Sequence, residues 1–271
     1  MGLYDVLDDI AARQVTKTET GDNRIFGVVL GLVTKNYDKN MPGRVCVAIP
    51  SRDKDANELL WARVAMPSSG KDWGHYFLPE VGDQVLLVFE QGNIERPYII
   101  GCIPKTADGF LKKQVDEKNQ FKAITTKHGS TITFEDNAED KKGKKDKITI
   151  ASAGEEHKIL IDNENQVIRI TDKKGKNFIE MKTETGQMTV QSEKKLTLKV
   201  GSSIEVIMNG ESGKVSIKAS SLECKTSGAM NLQASGKLDA SGSSVKVKGA
   251  SNASLESSGP VSVQGTPVKL G

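Results

Sequence analysis

Three histidines and three cysteines are the residues of this 271-residue chain best equipped for chemistry, and their spacing offers none. His75, His128 and His157 lie in three different segments, and Cys46, Cys102 and Cys224 include no C-x-x-C pair, so no zinc-type ligand set is written in the sequence. Serines are abundant, yet no Gly-x-Ser-x-Gly elbow stands near a credible base. No glycine-rich loop leads from a strand into a helix to cradle a phosphate. The acidic residues sit in loops that read as solvated, not as a buried acid–base pair. The sequence therefore predicts no catalytic residue, no metal ligand and no cofactor. The cysteines read as small buried hydrophobes, compatible with synthesis in a reducing compartment.

The spacing that does carry physics is apolar. From Met188 onward, pairs at i and i+2 recur about every eight residues: Met188/Val190, Leu196/Leu198, Ile204/Val206, Val215/Ile217, Leu222/Cys224 and Met230/Leu232. Leu238/Ala240, Val245/Val247, Ala253/Leu255, Val261/Val263 and Val268/Leu270 complete the series. Residues i and i+2 of a strand share a face, so each pair is expected to be a short edge with one buried side. Gly201, Gly228, Gly236, Gly242, Gly249, Gly259 and Gly265 follow the pairs and are expected at corners, where positive φ is often needed. Such a short self-similar period predicts a β-solenoid rod. Burying two side chains per octad does not offset the ordering of eight backbones, so no edge is stable alone.

Two closures satisfy that need. One chain can coil on itself with three edges per turn, or three identical chains can intertwine, each giving one edge to every layer of a triangular prism. From Val215 the steps run 7, 8, 8, 7, 8, 8, 7, and both closures produce such a super-period. The apolar face has no aromatic after Phe178, which suits a narrow prism filled by Val, Leu and Ile.

Composition bounds the remainder. Net charge is +3, with lysines and acids alternating along the rod as on a solvated face. No cluster of arginines with aromatics marks a nucleic-acid groove. The start of the chain has neither a basic region nor a long apolar run, so no signal peptide is expected, and no window is apolar enough to span a membrane. Both tryptophans and all four tyrosines precede position 111, the clearest compositional boundary.

Leu3, Val6, Leu7, Ile10 and Ala11 predict a short amphipathic helix within an arm over 1–23. Strands are then predicted over Ile25–Thr34, Gly43–Ile49, Leu59–Ala65, Gln84–Glu90 and Tyr98–Cys102, separated by turn signals such as Met41-Pro42-Gly43 and Glu80-Val81-Gly82-Asp83. Five short strands in this span read as a small β-barrel over 24–103. Residues 104–129 are lysine-rich and aperiodic, a linker, and 130–271 form the rod. The rod is expected to open with longer edges at Ile148–Ile150, Ile159–Ile161, Val167–Ile170, Phe178–Met181 and Met188–Val190. Met208 to Gly213 is expected to protrude as a corner.

The barrel has a specific likeness. The run Gly27-Val28-Val29, Gly43-Arg44-Val45, Trp61-Ala62-Arg63-Val64-Ala65, Phe77-Leu78-Pro79-Glu80-Val81-Gly82-Asp83 and Arg96-Pro97-Tyr98-Ile99-Ile100-Gly101 resembles the OB-fold domain of phage baseplate assembly protein V and of the Vgr spikes of type VI secretion. Lys127-His128-Gly129-Ser130 and the strand after it look like the same family. The resemblance implies an all-β homotrimer, an OB barrel followed by an intertwined β-helix, acting as the central membrane-puncturing spike of a contractile injection machine. Its axial core would be Leu196, Leu198, Ile204, Val206, Val215, Ile217, Leu222, Cys224, Leu232, Val245, Val247, Val261 and Val263. About fifteen edges would make a needle on the order of 70 Å long, at ~4.8 Å per layer. A separate hub protein is expected at the barrel end, transient contact with a target envelope at the other, and no nucleic-acid partner. A PAAR-type tip protein would seat on Pro267, Val268 and Leu270. The competing expectation is a passive β-solenoid fibre or adhesin whose OB module binds a ligand.

Overall fold

A computed structural model describes residues 24–50, 60–106 and 108–269. The predicted helix of residues 3–15 and the arm over 1–23 lie outside the described residues, as does Leu270. The barrel and the sheet that follows it fall in one compact unit, and the octads in another.

Five strands close the barrel: β1 (Val29–Lys35), β2 (Arg44–Ala48), β3 (Leu60–Val64), β4 (Gln84–Phe89) and β5 (Pro97–Ile103), in the order β1-β2-β3-β5-β4. Every predicted barrel strand is present, with ends shifted by a few residues. Closure comes from a parallel pairing of β3 with β5, Arg63 opposite Tyr98 and Val64 opposite Ile99, while the other pairings are antiparallel. Alternation places Val33, Val45, Val47, Ala62, Val85, Leu87 and Ile99 in one buried cluster, joined by Ile49, Phe89 and Ile94. The turn Glu80 to Asp83 is held by Asp83 N–H donating to Glu80 O (3.0 Å) and Glu80 N–H donating to Asp83 Oδ2 (2.8 Å). Gly82 there has φ +94°, a conformation that L side chains rarely adopt.

Cys46 is buried as expected, whereas Cys102 and Cys224 are exposed. Cys224 sits on a segment that has no neighbouring strand in the single chain, so nothing covers it. Cys102 lies on the last barrel strand, where it pairs with Val85.

The lysine-rich segment read as a linker is partly ordered into elements. It holds helix α1 (Gly109–Gln114) and strand β6 (Phe121–Thr125). Strand β6 starts an antiparallel meander with β7 (Thr131–Glu135), β8 (Lys147–Ala151), β9 (His157–Asp162), β10 (Val167–Asp172), β11 (Phe178–Lys182) and β12 (Gln187–Gln191). The edges expected at Ile148–Val190 are thus strands hydrogen-bonded to their sequence neighbours. Apart from the long β7–β8 connection over 136–146 the turns between them are short, and Gly175 (φ +66°) and Gly186 (φ +65°) supply left-handed residues in two of them. Three further strands, β13 (Lys195–Val200), β14 (Ile204–Asn209) and β15 (Lys214–Lys218), form a sheet of their own. The expected protruding corner at Met208 to Gly213 is the hairpin turn between β14 and β15, with Gly213 at φ +62°.

Over 219–269 no strand ladder forms among the described residues. The chain instead runs in straight pieces between bends at 220, 227–228, 235–236, 243, 250–251, 258–259 and 266–267. Those bends begin 7, 8, 8, 7, 8 and 8 residues apart, the step pattern read from the sequence. Each apolar pair from Leu222/Cys224 to Val261/Val263 lies within a straight piece. The glycines are at or beside the bends, but of the seven expected at positive φ only Gly201 (φ +57°) is there. A corner that redirects the chain without reversing it does not need the left-handed conformation that a two-residue hairpin imposes.

Gly31 tests the barrel packing. A Cβ at Gly31 would lie 2.7 Å from Leu87 Cδ1 and 3.2 Å from Val85 Cγ2, and both side chains are fully buried. Gly31→Val is expected to lower barrel stability by about 1–3 kcal/mol through overpacking, while Gly101→Ala, with nothing within 4 Å, has no steric cost. Urea denaturation followed by tryptophan fluorescence measures both.

Candidate assembly interface

Strict alternation along the seven-stranded sheet sorts its side chains into two unlike faces. Because directly paired residues of antiparallel strands share a face, the register lines up one row across all the strands: Ile124, Ile132, Ile150, Ile159, Ile170, Ile179 and Val190. A second row on the same face runs Lys122, Phe134, Ile148, Ile161, Ile168, Met181 and Met188. Apart from Lys122 both rows are apolar. Apart from Lys122 and Ile148, their members are 36–64% exposed. A monomer that leaves two aligned hydrophobic rows in water departs from the usual surface of a soluble protein.

The opposite face carries the sheet's cross-strand charge pairs among Leu160, Val167 and Phe178, and Thr125 Oγ1 there is buried without a hydrogen-bond partner. Arg169 lies directly across from Glu180, is ion-paired with it, and its guanidinium sits 3.9 Å over the Phe178 ring. Lys147 is directly opposite Asp162, with 3.7 Å between Nζ and Oδ2. Asp162 is only 7% exposed. Burial alone would push its carboxyl upward, but Asn165, through its side chain and backbone N–H, together with Lys147, holds it below the usual carboxylate range. Asp172, at the strand end opposite His157 and on the side of Ile170, is also lowered, first by the Asn177 side chain and then by neighbouring backbone amides.

Ion pairs also join successive turns along the sheet rims. Lys173 Nζ lies 2.8 Å from Glu156 Oε1, Lys122 Nζ 2.9 Å from Asp136 Oδ2, and Lys176 pairs with Glu193. Lys127, in the β6–β7 turn, reaches Glu80 of the barrel at 2.8 Å. These rim pairs are exposed and screened by solvent, so they orient turns more than they hold them.

The predicted axial residues occupy two settings. Leu196, Leu198, Ile204, Val206, Val215 and Ile217 are on β13, β14 and β15, and none of them is buried in the single chain. Leu222, Cys224, Leu232, Val245, Val247, Val261 and Val263 are on the straight octad pieces, all exposed, with Val247 reaching 86%. Pro267 and Val268 are exposed at the last bend. The first rod strand read from the sequence at Ser130–Phe134 is present as β7, and its Ile132 and Phe134 share a face with Ile150 and Ile148, while Ile124 on β6, in the segment read as a linker, was missed. The i/i+2 spacing of Ile132 and Phe134 was a usable signal, but Lys122 masks it on β6.

On the barrel, Trp61 lies in a cleft of about 310 Å³ with Arg44, Arg63, Glu90, Arg96 and Tyr98. Tyr98 Oη donates to Glu90 Oε2 (2.9 Å) and Arg96 to Glu90 Oε1 (3.1 Å). Trp73, Tyr76 and Phe77 are exposed on or just after a small hairpin closed by Gly70 N–H donating to Trp73 O, His75 N–H donating to Ser68 O and a Ser68–His75 side-chain contact of 3.1 Å. His75, His128 and His157 remain in separate places along the fold, and among the described residues no group of His, Cys, Asp and Glu is placed to hold a metal ion. No described helix is long and apolar enough to cross a membrane.

A five-stranded barrel closed through one parallel pair is an OB-type module, here followed by a two-faced antiparallel sheet. Residues 29–103 match the family described as the type VI secretion system/phage-baseplate injector OB domain. The chain is 31% identical over 91 residues to the type VI secretion system spike protein VgrG1a of Pseudomonas aeruginosa, which is 32% of this chain and 14% of that protein. It is 31% identical over 91 residues to VgrG1b, covering 32% of this chain and 12% of the relative, and 36% identical over 62 residues to VgrG2a, covering 22% and 7%, both from the same organism. The chain therefore aligns with a small part of these relatives' length. The match to the injector OB domain family falls on the five barrel strands.

Acid is expected to loosen the hairpin turns first. Asp162 and Asp172 are lowered from the ordinary value of 3.8, so their contribution is complete above that pH and is lost as pH falls through the lower folded values. Amide hydrogen exchange at Asn165 and Lys176, corrected for its intrinsic pH dependence, should show constant protection from neutral pH down to about 4, then a fall.

Proposed function

We propose that this chain is the central spike of a contractile injection machine, working as a homotrimer whose shaft concentrates force on a small area of target envelope. The observation that carries the reading is the octad region. Its straight pieces and bends keep the 7, 8, 8 period, yet none of the pieces pairs with another piece of the same chain. A one-chain coil would place successive turns of 219–269 in backbone contact with each other. Three chains intertwined about one axis supply the missing strand partners from outside and cover Val245, Val247, Val261 and Val263 at the same time. The Vgr-type barrel supports the same reading from the other part of the chain.

The work is mechanical and no reaction is catalysed. Aliphatic side chains meeting along an axis exclude water, and continuous backbone ladders resist bending and proteolysis. In this reading the barrel end meets a separate hub protein, and Pro267, Val268 and Leu270 seat a tip protein of the PAAR type. The particle is a phage tail, a tail-like particle or a secretion apparatus, and the chain is made in the bacterial cytoplasm.

Native mass spectrometry of the full chain tests the reading. A species of three times the 29.3 kDa chain mass is expected, stable on dilution. A folded monomer at assembly concentrations would sink the spike.

A further inference from the structure

The shaft residues divide by what each lacks in the single chain. From β6 to β12 every strand already pairs with at least one strand of its own chain, and what remains bare is the two outer edges and the apolar rows. Over 219–269 the backbone forms no strand ladder and the apolar side chains are exposed. The first region can form before any other copy arrives, whereas the second cannot.

We infer that the seven-stranded sheet is the trimerisation nucleus of this protein, and that the octads wind only after three sheets have met through their apolar rows. The inference rests on the homotrimeric spike reading and adds where and in what order the copies join. The occupant of the apolar face is a second and third copy of this chain. Its area argues for a macromolecular partner: seven strands ~4.8 Å apart, two rows deep, give a strip of roughly 300 Å² in projection, and more in accessible area. Its chemistry argues for a like partner, because charge on this face is confined to its borders: Lys122, already paired with Asp136, and Asp172, at the strand ends opposite His157 and bonded to Asn177. Charges that complement each other lie on the reverse face and the rims, where Arg169–Glu180 and Lys173–Glu156 are already paired within the chain. Continuity argues the same way, since the i/i+2 pairs pass from Ile159/Ile161 through Met188/Val190 into the octads without a change of residue class.

The order follows from entropy. Three octad tails that meet as free chains must find one another, fix their register and order their backbones together. Tails already held by three formed sheets start from the same residue and sit at a high effective concentration. Loss of the sheet contact therefore costs the whole trimer, while damage within an octad costs only the winding beyond it.

Four full-length proteins separate these outcomes by native mass and limited proteolysis. Wild type is expected to be a trimer resistant throughout. Ile170→Lys, on the bare face opposite Ile159, is expected to reduce the trimer population at least tenfold and expose 219–269 to cleavage. Its barrel should still give the wild-type fluorescence of Trp61 and Trp73. Thr149→Lys, the same charge on the reverse face of β8, should remain trimeric. Val247→Asp should also remain trimeric, with cleavage confined to residues after 219. A trimeric Ile170→Lys protein with protected octads, a monomeric Thr149→Lys protein, or a monomeric Val247→Asp protein overturns the order while leaving the spike reading intact. A monomeric wild type overturns the spike reading and this inference with it.

Discussion

A β-strand edge needs a hydrogen-bonded neighbour, and the three parts of this chain meet that need in different ways. The barrel meets it by closing, with β3 and β5 joined in parallel so that no edge of the five is left open. The meander from β6 to β12 meets it between sequence neighbours and leaves two outer edges. The octads over 219–269 form no strand ladder within the chain. Side-chain chemistry then follows the backbone. Apolar residues fill the closed barrel, line one bare face of the open sheet, and stand exposed on both sides of every octad bend. An unpaired backbone group removed from water costs as much as a lost hydrogen bond. Covering the octads with anything other than another strand edge would therefore bury groups that have no partner.

Glycine marks the change from one regime to the other. Gly175, Gly186, Gly201 and Gly213 all have φ between +57° and +66°, and each sits where the chain reverses between adjacent strands. After Gly213 no described glycine adopts that conformation, although Gly228, Gly236 and Gly259 still fall at bends. At Gly249 an added Cβ would lie 2.0 Å from the Asn252 carbonyl oxygen, so glycine is required there for space and not for handedness. The same residue type thus serves reversal in one region and close backbone approach in the other.

The barrel was legible because half-buried strands alternate and its turns carry Pro, Gly and Asp at positions with a mechanical role. Met41-Pro42-Gly43 and Glu80 to Asp83 are examples, with Gly43 and Gly82 both at positive φ. The octad period was legible as well, down to the spacing of the bends. What the sequence left ambiguous was the pairing partner. Ile159/Ile161 and Ile168/Ile170 have the same i/i+2 signature as Val245/Val247, yet the first two pair with each other in a hairpin and the third pairs with nothing in its chain. A period of two reports which side of a strand is apolar and is silent on whose strand lies beside it. Strand β6 was hidden for another reason, since Lys122 and the surrounding lysines outweigh the alternation of Phe121 to Thr125.

The polar face explains why the apolar one can remain uncharged. Arg169 and Glu180, or Lys147 and Asp162, are cross-strand partners whose charges are neutralised locally, and Asn165 and Asn177 satisfy the carboxylates that their turns draw inward. With charge otherwise on the reverse face and the rims, the bare face between Lys122 and the strand-end pair His157 and Asp172 is defined by apolar shape. Aliphatic contacts are weakly directional, so in the proposed homotrimer three such faces would close around an axis without a charge pattern to satisfy, leaving the rim lysines and acids in water. A shaft made this way is stiff because its interior is close-packed and its ladders are continuous. Those are the properties a load-bearing rod needs, and neither requires a reactive side chain.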